Sequence, residues 1–299
     1  MADYYNTGLG IFKRLIKASA KVVSLAVFAV QLRARDLIWT LINLVARNRP
    51  AGGVIPPGYP GHGGDWPKYI APNLESDTRS PCPGLNNLAN HGILPRNGKH
   101  LTYRQMAHTI QHAYNLSPTL AERLTAAAKQ IDQGRGWIDL HDLNALNVIQ
   151  HDASFTRHDI AFCPDQSSPD RDLVERLLAH ASNGHSLSLA DIAYYSGLRR
   201  AESKHSNGEY SLAHSFRHKY FGSGNGALIS AVFGGDVKDL RVWLGEERFP
   251  AGWEPKNREA LGYTIVQSQA STLLIEFSID EEQQLRRGDE LSSPAKLHE

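Results

Sequence analysis

The 299-residue chain has only two cysteines, Cys82 and Cys163. At most one disulfide could form within it, which excludes a disulfide-stabilised scaffold. The net charge at pH 7 is +1, so no overall field attracts nucleic acid, and we expect no nucleic-acid partner. The chain also lacks internal repeats and an uninterrupted apolar run of the roughly 20 residues that a membrane span needs. Its hydrophobic content of 41% and charged content of 21% are instead typical of an ordinary folded protein.

Residues 10–48 contain no glycine or proline after Gly10, and their apolar residues recur with helical spacing. Arg33, Arg35 and Asp36 interrupt the apolar sequence, and each such charge costs about 2.5–3.5 kcal/mol near the middle of a bilayer. An interfacial helix is therefore favoured over a spanning one, with residues 10–47 in peripheral contact with an intracellular endomembrane. The alternatives are a helix packed on the domain or on a second subunit of a homodimer, and a cleaved signal peptide of a secreted protein.

The remainder of the chain divides by composition. Residues 49–67 are dense in glycine and proline, which predicts a linker or an ordered extended arm. Up to residue 279 the pattern is helical, with predicted N-caps at Thr102, Ser117 and Ser188, although "TLLIEFSI" (Thr272 to Ile279) could be a strand or a buried helix. We predict an all-α protein with four segments: an N-terminal helix (1–48), the Gly/Pro-rich segment (49–67), one helical domain (68–279) and a polar tail (280–299).

Cys82 lies between Pro81 and Pro83 at the predicted start of a helix. Pro83 suits the first helical turn, and Gly92 fits the end of the helix. Free backbone N–H groups and the helix dipole stabilise a thiolate at this position, and the flanking prolines fix the direction of the sulfur. The thiolate could be a nucleophile or a metal ligand, while a buried thiol in a turn is the simpler interpretation. No set of clustered Cys and His with zinc spacing accompanies it, which argues against structural zinc.

Two stretches of the sequence, considered together, favour the interpretation of Cys82 as a metal ligand. They are "PCPGLNNLANHG", from Pro81 to Gly92, and "QHDASFTRHD", from Gln150 to Asp159. With "RRAESKHSNGEYSL" and "EERFPAGWEPK" further along, they resemble the heme-thiolate peroxidase family, that of chloroperoxidase and the unspecific peroxygenases. The resemblance covers about residues 65–279, with the motifs in the family's order. It implies a single all-α domain wrapped around heme b, with the N-terminal helix as an extension.

The resemblance also implies roles for individual residues. In the family the cysteine thiolate is the proximal ligand of the heme iron, which by position is Cys82, flanked by Pro81 and Pro83. A thiolate ligand favours cleavage of the peroxide O–O bond. His151 matches the distal histidine that moves the peroxide proton. We expect the carboxylate of Asp152 to fix the orientation of this ring, as carboxylates commonly do for imidazoles.

At two positions the chain departs from the family by replacing a glutamate with an amide. The family binds Mg²⁺ or Mn²⁺ beside a heme propionate, and the corresponding residues here are Gln150, His151 and Ser154. The neutral Gln150 supplies less charge for a hard cation. Asn225, in "GNGALISAVFG", stands where the family has its catalytic acid–base glutamate. An amide cannot carry a proton, and losing a general acid or base typically lowers a rate by about 10²–10⁴.

The leading functional hypothesis is a heme-thiolate oxidoreductase that uses H₂O₂ to oxidise a hydrophobic small molecule in fungal secondary-metabolite biosynthesis. The two amides keep two alternatives open. One is a heme-dependent lyase, isomerase or cyclase without a redox step, which would form product in the absence of peroxide. The other is a heme-binding scaffold whose catalytic site has decayed, in which restoring the two glutamates would bring no gain in activity.

Overall fold

The computed structural model describes residues 27, 29–146, 150–209, 212–282 and 284, and only the backbone of residues 212–220. This part of the chain is built from helices and one antiparallel pair of two-residue strands, which confirms the predicted all-α fold. The helices are α1 (29–45), α2 (Pro83–Asn90), α3 (Tyr103–Ala113), α4 (Pro118–Ala126), α5 (Arg171–Ala179), α6 (Leu189–Ser206), α7 (Leu212–Phe233), α8 (Val237–Gly245) and α9 (Ile265–Phe277). The strands are β1 (Leu101–Thr102) and β2 (Trp137–Ile138), and short 3₁₀ helices span His62–Gly64, Ala127–Gln130 and Leu140–Asn144.

The helices begin where the sequence predicts side-chain caps. The side chains of Thr102, Ser117 and Ser188 accept the backbone N–H three residues ahead, at the starts of α3, α4 and α6. Each cap satisfies an N–H group that has no partner inside its helix. These three predicted caps are therefore confirmed. Thr264 caps α9 in the same way, and residues 272–277 of the ambiguous "TLLIEFSI" segment belong to that helix.

An aromatic cluster joins the Gly/Pro-rich segment to the region after α8. The rings of Trp66 and Phe249 stack with a centroid separation of 3.7 Å, and those of Phe233 and Trp253 with a separation of 4.6 Å. The indole N–H of Trp66 donates to the backbone carbonyl of Trp253 over 2.8 Å. Close aromatic packing of this kind adds to the stability from apolar burial. The segment after α8 also contacts α2, because the side-chain amide of Asn90 donates to the backbone carbonyl of Glu247 over 3.0 Å.

Asp36 anchors α1 to the domain. Its fully buried carboxylate accepts the backbone N–H groups of Ile265 and Val266, at the start of α9, over 2.9 Å each. It also accepts the hydroxyl of Thr119, in the first turn of α4. A carboxylate at helix N-termini is stabilised by their unpaired N–H groups and dipoles. The acidic residue that interrupts the apolar sequence thus attaches α1 to α4 and α9. Within the described residues, no helix combines the length and apolar character needed to cross a bilayer.

Candidate active site

Cys82 is the N-cap residue of α2, and Pro83 occupies the first helical position. The cysteine has an extended backbone, with φ −90° and ψ 105°. Its side chain is half-buried and in no disulfide, and the backbone N–H groups of Gly84 and Leu85 bond to the sulfur. The proline and the helix start therefore direct the sulfur and give it two amide donors.

Burial raises the pKa of the Cys82 thiol above its usual value. The amides of Gly84 and Leu85 and the positive charge of Arg157 lower this pKa, but by less. The amides at the helix start thus act in the direction predicted from the sequence, although desolvation outweighs them. A metal cation bound at the sulfur would supply positive charge, since a thiol that coordinates a metal is deprotonated. Cys82 thus fits the role of an axial heme ligand better than that of a free nucleophile.

Asn86 holds the turn that carries Cys82. Its side-chain oxygen accepts the backbone N–H and the hydroxyl of Ser80 over 3.0 Å each. Its side-chain nitrogen donates to the Ser80 carbonyl over 2.8 Å and to the Glu247 carboxylate over 2.9 Å. All three residues are buried. Because buried polar groups with all their partners in place are costly to rearrange, this arrangement fixes the backbone immediately before the cysteine.

A buried ion pair joins the Cys82 segment to the segment that contains His151. The guanidinium of Arg157 lies 2.6 Å from the carboxylate of Glu247, and the two side chains are 2% and 6% exposed. Arg157 also donates to the Ser80 carbonyl over 3.3 Å. Burial raises the pKa of Glu247, while Arg157 and the Asn86 amide act in the opposite direction. Arg157 thus places the stretch around His151 beside the cysteine turn.

His151 is buried, and its Nδ1 lies 2.8 Å from the backbone carbonyl of Asp152. A carbonyl can only accept a hydrogen bond, so Nδ1 carries the proton and Nε2 carries the lone pair. Burial lowers the pKa of His151, which favours this neutral ring. The carboxylate of Asp152 accepts the N–H of Ile160 over 2.9 Å and the amide of Asn207 over 3.0 Å. Its role in fixing the orientation of the His151 ring stays a prediction.

Asn225 is hydrogen-bonded to His151, although the two residues lie 74 positions apart in the sequence. The amide nitrogen of Asn225 is 3.2 Å from Nε2 of His151 and donates to its lone pair. Asn225 is exposed, whereas His151 is buried. Helix α7 approaches closely at Gly222, where a Cβ atom would lie 3.8 Å from Cε1 of His151. The structure thus brings together the two residues predicted for the distal site.

The loop after His151 is held by Asp159. Ala153 has a φ of 57°, a conformation that non-glycine residues rarely adopt. Its N–H donates to the Asp159 carboxylate over 2.9 Å, and the Ser203 hydroxyl and the Asn207 amide donate to the same carboxylate.

Six residues that support the site were not predicted from the sequence to do so. They are Asn86 in the cysteine turn, the ion pair Arg157 and Glu247, and the loop contacts Asp159, Ser203 and Asn207. All six lie within the quoted motif stretches, which is the signal that could have identified them.

The residues predicted for Mg²⁺ or Mn²⁺ make other contacts. The amide nitrogen of the buried Gln150 donates to the side-chain oxygen of Gln166 over 2.8 Å. The hydroxyl of Ser154 accepts the N–H of Thr156 over 3.4 Å. In the part of the chain that the structure describes, no group of three or more His, Cys, Asp or Glu could hold a metal ion. A cation at Gln150, His151 and Ser154 stays a prediction.

Residues 67–258, nearly two thirds of the chain, match the family model described as "Peroxidase, family 2". The matched range contains Cys82, His151 and Asn225. The prediction of family from the sequence motifs is therefore confirmed.

Three relatives show how far the similarity extends. A chloroperoxidase of Leptoxyphium fumago is 30% identical over 120 residues, covering 38% of this chain and 31% of the relative. An aromatic peroxygenase of Coprinellus radians is 30% identical over 162 residues, covering 44% and 58%. A dothistromin biosynthesis peroxidase of Dothistroma septosporum is 46% identical over 50 residues, covering 17% and 12%. The chain spans less than two thirds of each relative. By the family match and the site geometry, the chain belongs to peroxidase family 2.

Proposed function

We propose that the protein is a heme-thiolate oxidoreductase that oxidises a hydrophobic small molecule. One arrangement carries the proposal. A half-buried cysteine lies at a helix start, and the Arg157–Glu247 ion pair joins its turn to the segment that contains His151, which bonds to Asn225. Peroxide as the oxidant is supported by the relatives named chloroperoxidase and aromatic peroxygenase. A role in fungal secondary-metabolite biosynthesis is supported by the relative named for dothistromin biosynthesis.

In this proposal Cys82 holds heme b through its iron, and the bound heme supplies the oxidising chemistry. The backbone amides of Gly84 and Leu85 stabilise the thiolate, and Asn86 keeps the cysteine turn in position. His151 is neutral, and Nε2 is the ring atom that can accept a proton. The proposal does not depend on Mg²⁺ or Mn²⁺.

Asn225 determines how well His151 can work as a base. Its N–H occupies the Nε2 lone pair, so proton transfer to His151 requires that hydrogen bond to break. The amide can orient a polar ligand through its remaining N–H and its oxygen, but it cannot accept and return a proton. We therefore infer that proton transfer to His151 is slow.

The same hydrogen bond favours a second candidate function, a heme-dependent lyase, isomerase or cyclase. A non-redox reaction needs no base to deprotonate peroxide, so an occupied Nε2 lone pair would not lower its rate. In this case Asn225 orients the substrate rather than the peroxide. The two candidates differ in their need for an oxidant.

Turnover of apolar aromatic compounds by the heme-loaded full chain tests the proposal, with H₂O₂ and, separately, without peroxide under nitrogen. We expect oxygenated product only with peroxide. Cys82→Ser should reduce it to background, while Cys163→Ser should leave it unchanged, because Cys163 is the other half-buried free cysteine. Product in the peroxide-free arm would replace the proposal with the second candidate. If the protein binds heme but forms no product with or without peroxide, the alternative of a heme-binding scaffold would remain.

A further inference from the structure

The side of α1 that points away from the domain is apolar. Successive helical residues are rotated by about 100°, so Leu32, Asp36 and Asn43 lie on one side of α1, and these residues pack on or bond to the domain. The opposite side carries exposed aliphatic side chains, with Leu44 and Val45 77% and 87% exposed. We call this set the outer face of α1: Val30, Leu37, Ile38, Leu41, Leu44 and Val45.

Positive charge surrounds the outer face. Arg33 and Arg35 flank it on either side and are exposed, and Arg47 is exposed just beyond its end. The guanidinium of Arg35 lies 5.6 Å from the ring centroid of Trp39 and 3.7 Å from the half-exposed carboxylate of Glu122. Solvent screens such an exposed pair, so the charge of Arg35 stays available to a ligand outside the protein.

Negative charge is scarce in this part of the chain. Asp36 is the only acidic residue in the sequence between Asp3 and Asp65. Its carboxylate is buried on the packed side of α1. The outer face therefore combines apolar side chains with a basic border and carries no acidic residue of its own.

The area of the outer face indicates whether its binding partner is a lipid surface or a second copy of the chain. The described part of α1 is about 25 Å long and about 10 Å wide, so the face covers roughly 250 Å². A stable protein interface buries about 800 Å² on each partner, which is several times more. A helix that lies in a bilayer interface needs only its apolar side buried, and flanking basic residues are attracted to anionic headgroups.

We propose that the outer face of α1 docks the protein on the surface of an anionic membrane. The contact is peripheral, with Leu41, Leu44 and Val45 among the acyl chains and Arg33 and Arg35 at the headgroups. The contacts of α1 to α4 and α9 then hold the folded domain against that surface. This inference does not rest on the proposed oxidoreductase function, although a membrane-held enzyme would suit a hydrophobic substrate.

Cosedimentation of the full chain with vesicles tests the docking face. One vesicle type contains phosphatidylcholine alone, and the other contains added phosphatidylserine. We expect binding to the second type, a partition coefficient at least tenfold lower for the double variant L41E/V45E, and a loss of about fivefold for Arg33→Gln. Leu74→Glu is the matched control, since Leu74 and Leu41 are 51% and 54% exposed. It should bind within twofold of the wild type.

Circular dichroism checks that each variant is folded, and sedimentation velocity without lipid measures the oligomeric state. The proposal is overturned if the wild type does not bind phosphatidylserine vesicles, or if L41E/V45E binds as well as the wild type. An equal loss for Leu74→Glu would overturn it as well, by showing that the effect is not specific to this face. A dimer that L41E/V45E dissociates would assign the face to a second copy of the chain instead.

Discussion

Replacing Asn225 with glutamate is expected to raise the rate of peroxide-dependent oxidation by about 10²-fold, the lower end of what a positioned general acid–base contributes. The substitution removes the N–H that occupies the Nε2 lone pair of His151 and puts a proton-carrying carboxylate at the same place on α7. Initial rates at matched heme content measure the effect.

Asn225→Gln is the control for this experiment. It adds the same methylene group as glutamate but cannot ionise, so we expect no gain from it. If Asn225→Glu binds heme and is no faster than the wild type, proton transfer at this position does not limit the reaction. The role assigned to the His151–Asn225 pair would then be wrong.

Glu247→Ala is expected to lower the free energy of unfolding by about 3–5 kcal/mol, because it leaves the buried Arg157 charge without its partner. The side-chain amide of Asn86 loses an acceptor as well, which loosens the turn before Cys82. Urea unfolding at neutral pH measures the loss, and heme titration measures the effect on the cysteine turn.

The chain offers a matched control in the Arg241–Glu175 pair, which has a comparable distance of 2.8 Å but side chains 48% and 54% exposed. Glu175→Ala should cost at most about 1 kcal/mol, since solvent screens an exposed pair. Glu247→Gln keeps the shape of the side chain without its charge and provides a milder variant should Glu247→Ala not fold. Equal losses for Glu247→Ala and Glu175→Ala would contradict the structural role of the buried pair.

Local signals in the sequence were sufficient for much of the fold. The caps at Thr102, Ser117 and Ser188 and the proline after Cys82 act within one helical turn, so the sequence alone reveals them. The segment Thr272 to Ile279 was ambiguous because its apolar run suits a buried strand or helix. The cap at Thr264, upstream of the segment, begins the helix that includes residues 272–277.

Contacts between distant parts of the chain could not be predicted in this way. Glu247 lies 161 residues after Asn86, its hydrogen-bond partner. Asp36 is locally a charge in an apolar helix, and its partners come from α4 and α9. Asn225 was placed in the distal site only through the family's motif, and its contact with His151 depends on how α7 packs. Tertiary packing decides each of these contacts.

The proposed function requires Cys82 to be the axial thiolate ligand of a heme. The absorption spectrum of the reduced, CO-treated, heme-loaded protein reports on this ligand. We predict a band at the position typical of thiolate-ligated heme, present in the wild type and in Cys163→Ser and absent from Cys82→Ser. A wild-type protein that binds no heme, or a band that persists in Cys82→Ser, would show that Cys82 is not the ligand.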